Sequence, residues 1–471
     1  MSQLQDSLPI EMAWHEPPPA VRQGLDVPWL MFLGAWVVAG VVGVFLARAG
    51  EIFVAGAVVV PLTVIGAFWK PTFGVCLLLM SVPLERVISW GGIGFGRVVG
   101  IIIAMGLLPR LILFRQRRLH IPTPWGLVGL TILALLSITW AQYPEIAGKF
   151  TFTLFQLLVL IFLIQSFCTS TEDLRWPLRA FALTCLGMAL LSGVLGLAHG
   201  TEGRLTFGMS QERMDNPNYT GCMFALGLFT AIYLFVTDRR ATFLRWLWLL
   251  TAIVMPVVIL MTGSRKALVS VAATLILPVL FLREVVRKPT IFVAVVVFGV
   301  VVLVGMYVGM EHFASKGVVD RLTDTEQARG GIETRLDFIV EGLDYLQRNP
   351  MGAGLGCYYT GHGHAIHNDL FYVTVNLGWL GGVAFVLLAV GLLVSVHRAE
   401  PGWEKWMGRS IIVFFLVQGL VATWILLKGY WVFLTIGALL VAASRRARTE
   451  ADLVEQEQEY EEAGPDQAWA P

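Results

Sequence analysis

The sequence predicts an all-α polytopic membrane protein with 12 to 14 transmembrane helices and one long outer loop that carries an amphipathic helix. Three observations predict it. The 471 residues are 56% hydrophobic and only 14% charged, with a mean hydropathy of +0.71, whereas soluble domains run at about 45 to 50% apolar and about 25% charged. Apolar runs recur along the chain, most of them close to the roughly 20 residues that one crossing takes. The 34 Lys and Arg fall unevenly between alternate loops. A soluble enzyme and a single-span receptor are both excluded.

Residues 1–26 hold Asp6, Glu11, Glu16 and the run Pro17-Pro18-Pro19. This is unlike the basic start of a cleavable signal peptide, so they are expected to form a cytoplasmic segment ahead of a retained first span. The first transmembrane bundle, 27–309, contains the runs Val27 to Ala47, Ile52 to Trp69, Thr72 to Leu84, Val98 to Phe114, Trp125 to Trp140 and Phe150 to Phe167. It continues with Trp176 to Leu197, Tyr219 to Val236, Trp246 to Met261, Ala267 to Phe281 and Thr290 to Gly309. Thr72 to Leu84 is short for a crossing, so one early pair can be re-entrant. The loop 310–369 follows, then the C-terminal spans of 370–443: Leu370 to Val396, Ile411 to Leu427 and Trp431 to Ala443. The segment 444–471, with eight acids after Arg448, reads as a disordered acidic tail.

Orientation follows from the bases in short loops. One set of loops carries nineteen: Lys70, the cluster from Arg110 to Arg118, Arg175 and Arg179, Arg239 to Arg245, Arg283 to Lys288, Arg398 to Arg409, and Arg445 to Arg448. The opposite short loops carry nine. The first set is expected in the cytoplasm, with both termini. In the long outer loop Ile332, Leu336, Ile339, Val340, Leu343 and Leu346 recur at helical spacing against Glu333, Arg335, Asp337, Glu341 and Asp344. That pattern is an amphipathic helix resting on the membrane, on the bundle or in solvent.

The five cysteines are odd in number and widely spaced, which fits packing residues rather than a disulfide framework or zinc ribbon. No aromatic-basic stripe gathers the bases, so no nucleic-acid partner is expected. Polar groups that carry chemistry should stand where apolar ones would be cheaper. They lie on the outer side: Arg204, Arg213, Asp215, Asn216 and Asn218, then Gly263-Ser264-Arg265-Lys266, then the long loop. Mid-helix acids and amides do not form the string that an ion-coupled transporter needs.

The long loop ends in Gly361-His362-Gly363-His364-Ala365-Ile366-His367-Asn368-Asp369. A neutral imidazole can take a proton from a sugar hydroxyl, which makes His367 a candidate general base. Three close histidines can equally hold zinc or copper, and His362 and His364, each next to a glycine, can be plain exposed loop residues. The glycines of Asn349-Pro350-Met351-Gly352-Ala353-Gly354-Leu355-Gly356 follow a helix and lack the strand-to-helix setting of a phosphate loop. They allow a tight turn close to a substrate or a helix end. Arg265, between two apolar helices, can grip a diphosphate through its planar guanidinium, or simply snorkel to lipid phosphates.

With these residues in place, the chain resembles the O-antigen ligase and polymerase superfamily of bacterial envelope glycosyltransferases. That family shows a His followed by Asn, Ser or Gln, nine intervening residues, and Gly-x-x-Gly. Here His367-Asn368 is followed by Asp369 to Leu377 and then Gly378-Trp379-Leu380-Gly381. The Gly263-Ser264-Arg265 turn is similar, as are Arg335 heading a helix that ends at Asn349-Pro350-Met351-Gly352 and Arg204 with Asp215-Asn216-Pro217-Asn218-Tyr219. The match covers mainly Arg204 to Gly381. It implies a multi-pass transferase of the inner membrane with a periplasmic active site. The enzyme would move a glycan from an undecaprenyl-diphosphate carrier to an acceptor hydroxyl without cofactor, metal or nucleotide sugar. His367 would be the base and Arg265 and Arg335 the diphosphate clamp, with Asn368, Arg204, Arg213, Asn218 and His364 at the substrate. The acceptor would be lipid A core or a growing glycan; transfer to a protein hydroxyl, or a non-enzymatic transporter of lipid-linked oligosaccharide, are the other readings.

Overall fold

The computed structural model describes residues 52–85, 89–90, 93–114, 119–195, 205, 217–238, 242–281, 325–363, 366–399 and 401–463. The chain divides into two compact units, 1–66 and 67–471. The spans expected at Val27 to Ala47 and Thr290 to Gly309, the first part of the long loop, and Arg204, Arg213 and His364 lie outside the described residues.

The regular structure of the described residues is helical apart from one small hairpin of two-residue strands. In order it forms α1 (Ile52–Trp69), α2 (Pro71–Leu84), β1 (Ser89–Trp90) paired antiparallel with β2 (Ile93–Gly94), α3 (Phe95–Leu113), α4 (Pro122–Ser137) and α5 (Pro144–Phe167). Next come α6 (Thr171–Leu195), α7 (Pro217–Thr237), α8 (Thr242–Met261) and α9 (Arg265–Phe281). The last are α10 (Thr325–Arg348), the short α11 (Cys357–His362), α12 (Asp369–His397), α13 (Trp403–Val421) and α14 (Lys428–Ala463). Among the described residues six helices are long and apolar enough to cross a membrane: α3, α5, α6, α7, α8 and α12. The short α2 is buried along most of its length, from Phe73 through Pro83, so neighbours cover it rather than lipid.

Several helices begin on a proline, where the missing N–H is one that a first turn leaves unbonded in any case. Pro71, Pro122, Pro144 and Pro217 are such starts, and each precedes the apolar run by a few polar residues. Two elements depart further from expectation. The run Ile411 to Leu427 is not one helix: α13 starts at Trp403, in the charged stretch, and stops at Val421. The expected disordered tail is helical as far as Ala463. Its Glu, Gln, Ala and Arg are strong helix formers, and Arg446 Nε holds Glu450 at 2.8 Å one turn on.

The end of the bundle away from His367 is locked by ion pairs. Arg179 grips Asp238 with two bonds, Nε to Oδ2 at 2.9 Å and a terminal nitrogen to Oδ1 at 2.6 Å, and Trp248 Nε1 donates to the same carboxylate at 3.0 Å. Arg175 approaches Glu404 at 3.7 Å, and Tyr233 Oη donates to Glu404 at 3.3 Å. These contacts join α6, α7, α8 and α13.

The amphipathic helix α10 rests on the bundle. Ile339, Tyr345 and Leu346 pack with Ala147, Ala353, Tyr358, Ile366 and Val375, while Leu336 and Val340 stay exposed.

Candidate active site

The first turns of α7, α9 and α12 and the last turn of α13 meet at one end of the bundle, and α10 packs on the start of α12. The α9 end is built from Gly263-Ser264-Arg265. Ser264 Oγ caps the helix by accepting from Ala267 N at 3.3 Å, and donates to Asn218 Oδ1 of α7 at 2.9 Å. Arg265, half-buried, is therefore the first helical residue of a turn tied to the start of α7. Leu205 N bonds Met261 O at 2.9 Å at the adjoining end of α8.

The α12 end is held just as closely. Asn368 is the N-cap: its Oδ1 accepts from Phe371 N at 3.1 Å, and its Nδ2 donates to Leu420 O at 3.2 Å. Both ends of the amide expected at the substrate are thus engaged in the fold. Asp369, buried at 1% exposure, accepts at Oδ1 from Trp424 N at 2.7 Å and Ile425 N at 3.0 Å. Thr423 Oγ1 donates to Ile366 O at 2.6 Å. Of the four residues Ile366 to Asp369, only His367 is exposed.

Arg335 reaches the same place from α10. It lies two turns from Gly342, on the same helix face, and a Cβ at Gly342 would stand 2.9 Å from Ile366 Cδ1 and 3.1 Å from Val375 Cγ2. That close approach sets the Arg335 face over the His367 turn. The charges agree: partial loss of hydration first, then the positive charges of Lys266 and Arg335, lower the His367 pKa below the ordinary imidazole value. That lowering favours the neutral imidazole, with the charges of Lys266 and Arg335 both acting on it. Lys266 itself is fixed through its carbonyl, which accepts from Gln418 Nε2 at 3.2 Å.

The glycine-rich loop and the Gly378-x-x-Gly381 pair belong to one piece of architecture. At Gly378 (φ 73, ψ −175) α12 breaks. Carbonyls freed there are taken by the loop: Ala353 N donates to Val375 O at 3.0 Å and Gly354 N to Asn376 O at 2.9 Å, while Trp379 N turns to Pro350 O at 3.3 Å. A Cβ on Gly352 would fall 2.5 Å from Gly378 N, and one on Gly378 2.5 Å from Pro350 O, so main chain lies directly on main chain. The loop meets a helix end, one of the two partners its glycines allow. It seats the site and shows no phosphate cradle of its own.

His362 is drawn into an aromatic cluster, stacked on Tyr358 at 4.1 Å and edge-on to Tyr345 at 5.4 Å, with Nδ1 3.1 Å from Tyr358 O. Among the described residues no three His, Cys, Asp or Glu side chains gather as a metal site. Of the expected residues, the structure puts His367, Asn368 and Arg335 at one turn and Arg265 and Asn218 at the α7–α9 turn, the two joined through Gln418. Sequence reasoning missed Asp369, Thr423, Trp424 and Gln418. Asp369 and Gln418 were visible as an acid and an amide at apolar segments, where each needs a partner; Thr423 and Trp424 carried no such signal.

No curated protein matches the chain. Residues 250–386 match the family model described as O-antigen ligase, a stretch from within α8 through the break in α12 that takes in Arg265, Arg335, His367 and Asn368. Residues 250–386 are thus similar to the O-antigen ligase domain, and they stand in a helical framework with six candidate membrane spans among the described residues.

Proposed function

We propose that this protein transfers a glycan from an undecaprenyl-diphosphate carrier to a hydroxyl of lipid A core or of a growing polysaccharide, on the periplasmic side of the inner membrane. The observation that supports the proposal is the exposed His367 beside the buried N-cap of α12, where the positive charges of Lys266 and Arg335 both act on the imidazole. In the reaction the acceptor oxygen attacks the anomeric carbon as His367 takes its proton. The bond from that carbon to the diphosphate oxygen breaks, and its electron pair leaves on the diphosphate. Arg265 and Arg335 stabilise the charge that gathers there. The first turns of α7, α9 and α12 add the positive ends of three helix dipoles. Arg204 and Arg213 are assigned to the donor as well, and His364 and Asn218 to the substrate side. Because those cations supply the electrostatic stabilisation, the reaction needs no metal ion.

A transporter of the same lipid would line a path with charge from both ends. At the opposite end the charges of Arg179, Asp238, Arg175 and Glu404 close on one another instead, which favours the transferase. The test uses purified protein with a lipid-diphosphate-linked repeat unit. His367→Ala should lower the transfer rate about 10²- to 10⁴-fold while carrier-lipid binding persists; full transfer by that variant would sink the assignment. Longer lipid-linked chains as product mean a polymerase. A reaction that waits for lipid A core means a ligase, and one that waits for a protein acceptor makes it a protein transferase.

A further inference from the structure

One short stretch of chain holds both sides of the site. Residues 418–425, the end of α13 and the non-helical turn after it, bind Lys266 O through Gln418 Nε2. On the other flank they bind Ile366 O through Thr423 Oγ1, Asn368 Nδ2 through Leu420 O, and Asp369 Oδ1 through Trp424 N and Ile425 N. The ring of Trp424 stacks on Tyr219 of α7 at 5.8 Å, one residue from the Asn218 that holds the Arg265 turn. This strut leaves helical geometry where Asp369 takes two of its main-chain N–H groups. Burying a carboxyl group is unfavourable unless it is hydrogen-bonded, and Asp369 Oδ1 takes two successive main-chain N–H groups. Fit around the second oxygen is tight: a Cβ on Gly419 would stand 2.8 Å from Oδ2.

We propose that Asp369 is a positioning residue for the transfer reaction. By clamping the 418–425 strut to the base of α12, it sets the His367 imidazole against the cations of the α9 turn. The proposal rests on the reading of His367 as the base. It concerns the rate of the chemical step rather than donor affinity, because Asp369 is buried and touches neither Arg265 nor Arg335 in the described contacts.

The test compares Asp369→Ala, Asp369→Asn and Thr423→Val with His367→Ala in the transfer assay on the full-length protein. Asp369→Ala should lower kcat roughly 10- to 100-fold, the loss expected when a reacting group is misplaced by about 1 Å, with the donor KM held within about twofold. Asp369→Asn keeps an oxygen for the Trp424 and Ile425 N–H groups and should restore most of the rate, with the acid limb of the pH profile unmoved. Thr423→Val, which deletes only the bond to Ile366 O, should lower kcat a few-fold. Wild-type kcat in both Asp369→Ala and Thr423→Val overturns the proposal, as does an Asn variant no better than Ala, or a loss that falls on KM. Should Asp369→Ala not yield folded protein, Thr423→Val decides alone. An inactive His367→Ala beside fully active strut variants refutes the positioning role only, whereas an active His367→Ala refutes the base itself.

Discussion

Gly378→Ala is the sharpest test of how the site is seated. Gly378 adopts φ 73 and ψ −175, a backbone region that is essentially glycine's alone and carries a penalty of about 1 to 3 kcal/mol for other residues. An added Cβ would also stand 2.5 Å from Pro350 O and 2.7 Å from Met351 C, main-chain atoms that cannot swing aside. Relief requires the two segments to part, which loses the bonds Ala353 N to Val375 O, Gly354 N to Asn376 O and Trp379 N to Pro350 O. At about 1 kcal/mol for each bond and the strain above, the local destabilisation is about 4 to 6 kcal/mol. Gly363→Ala is the clash-free control: at φ 77 and ψ −2 it lies in the ordinary left-handed region, and a Cβ there meets nothing within 4 Å. Thermal unfolding in detergent, read by tryptophan fluorescence together with the transfer rate, should therefore show a large loss for Gly378→Ala and a small one for Gly363→Ala. Equal, small shifts in the two variants would refute the reasoning, since neither the main-chain clash nor the glycine-only backbone of Gly378 would then count.

The pH profile offers a second check. Because the His367 pKa is lowered, the base stays neutral to pH values below about 6.5, and the acid limb of kcat/KM should have its midpoint there. Removing either cation should raise that midpoint, Lys266→Met more than Arg335→Gln, in the order of their effect on the imidazole; a midpoint indifferent to both charges would contradict the geometry. At the other end of the bundle, Asp238→Ala takes the bidentate partner from Arg179, leaving it Glu172 at 3.6 Å, and removes the acceptor of Trp248 Nε1. It should destabilise the fold by about 3 to 5 kcal/mol yet leave the KM and kcat of the folded fraction unchanged; a shift in KM would show that the two ends are coupled. Ser264→Ala removes a helix cap and the link to Asn218. A stability loss of about 1 kcal/mol with a raised donor KM is expected, and an unchanged KM would mean that the turn does not position Arg265 for the donor.

Where burial follows a simple period, the sequence was legible. Apolar runs located α1 to nearly the residue, and the alternation of polar and apolar positions found the amphipathic helix whose inner face carries Leu346 and Ile339. The same runs set helix starts too late, because first turns favour Pro, Asp and Ser, which interrupt an apolar run without interrupting a helix. For the site, His367 and Arg265 could be singled out as a base and a charge at apolar boundaries, and Arg335 through the family resemblance. What holds them could not. Thr423 and Trp424 act through main-chain and hydroxyl bonds to residues 55 or more positions away in the chain, and nothing in local composition marks such a pairing. Ile411 to Leu427 looked like a single span because the side chains of 422–427 are as apolar as those before them; only the N–H groups taken by Asp369 distinguish the two parts.

The break in α12 reconciles length with chemistry. As one helix the apolar stretch from Leu370 to Val396 is well over the roughly 20 residues a crossing needs. The 19 residues from Trp379 to His397 rise about 28 Å by themselves, close to a hydrocarbon core of about 30 Å. Exposure changes at the same point: Tyr372, Val373, Val375 and Leu377 are buried in protein, whereas Trp379, Leu380, Leu387 and Val394 face outward. An exposed tryptophan at the head of an outward apolar face suits the membrane interface, and Trp140, whose Nε1 donates to Met351 O at 3.1 Å, sits beside the same loop. Lipid would not tolerate the freed carbonyls of Val375 and Asn376, and the glycine loop supplies their donors. On this reading Gly378 is where α12 leaves the lipid, and the half-helix from Asp369 to Leu377 is a protein-covered platform. A carbonyl-rich break and a buried carboxylate can persist there, and His367 at its tip can meet a hydroxyl that arrives from water.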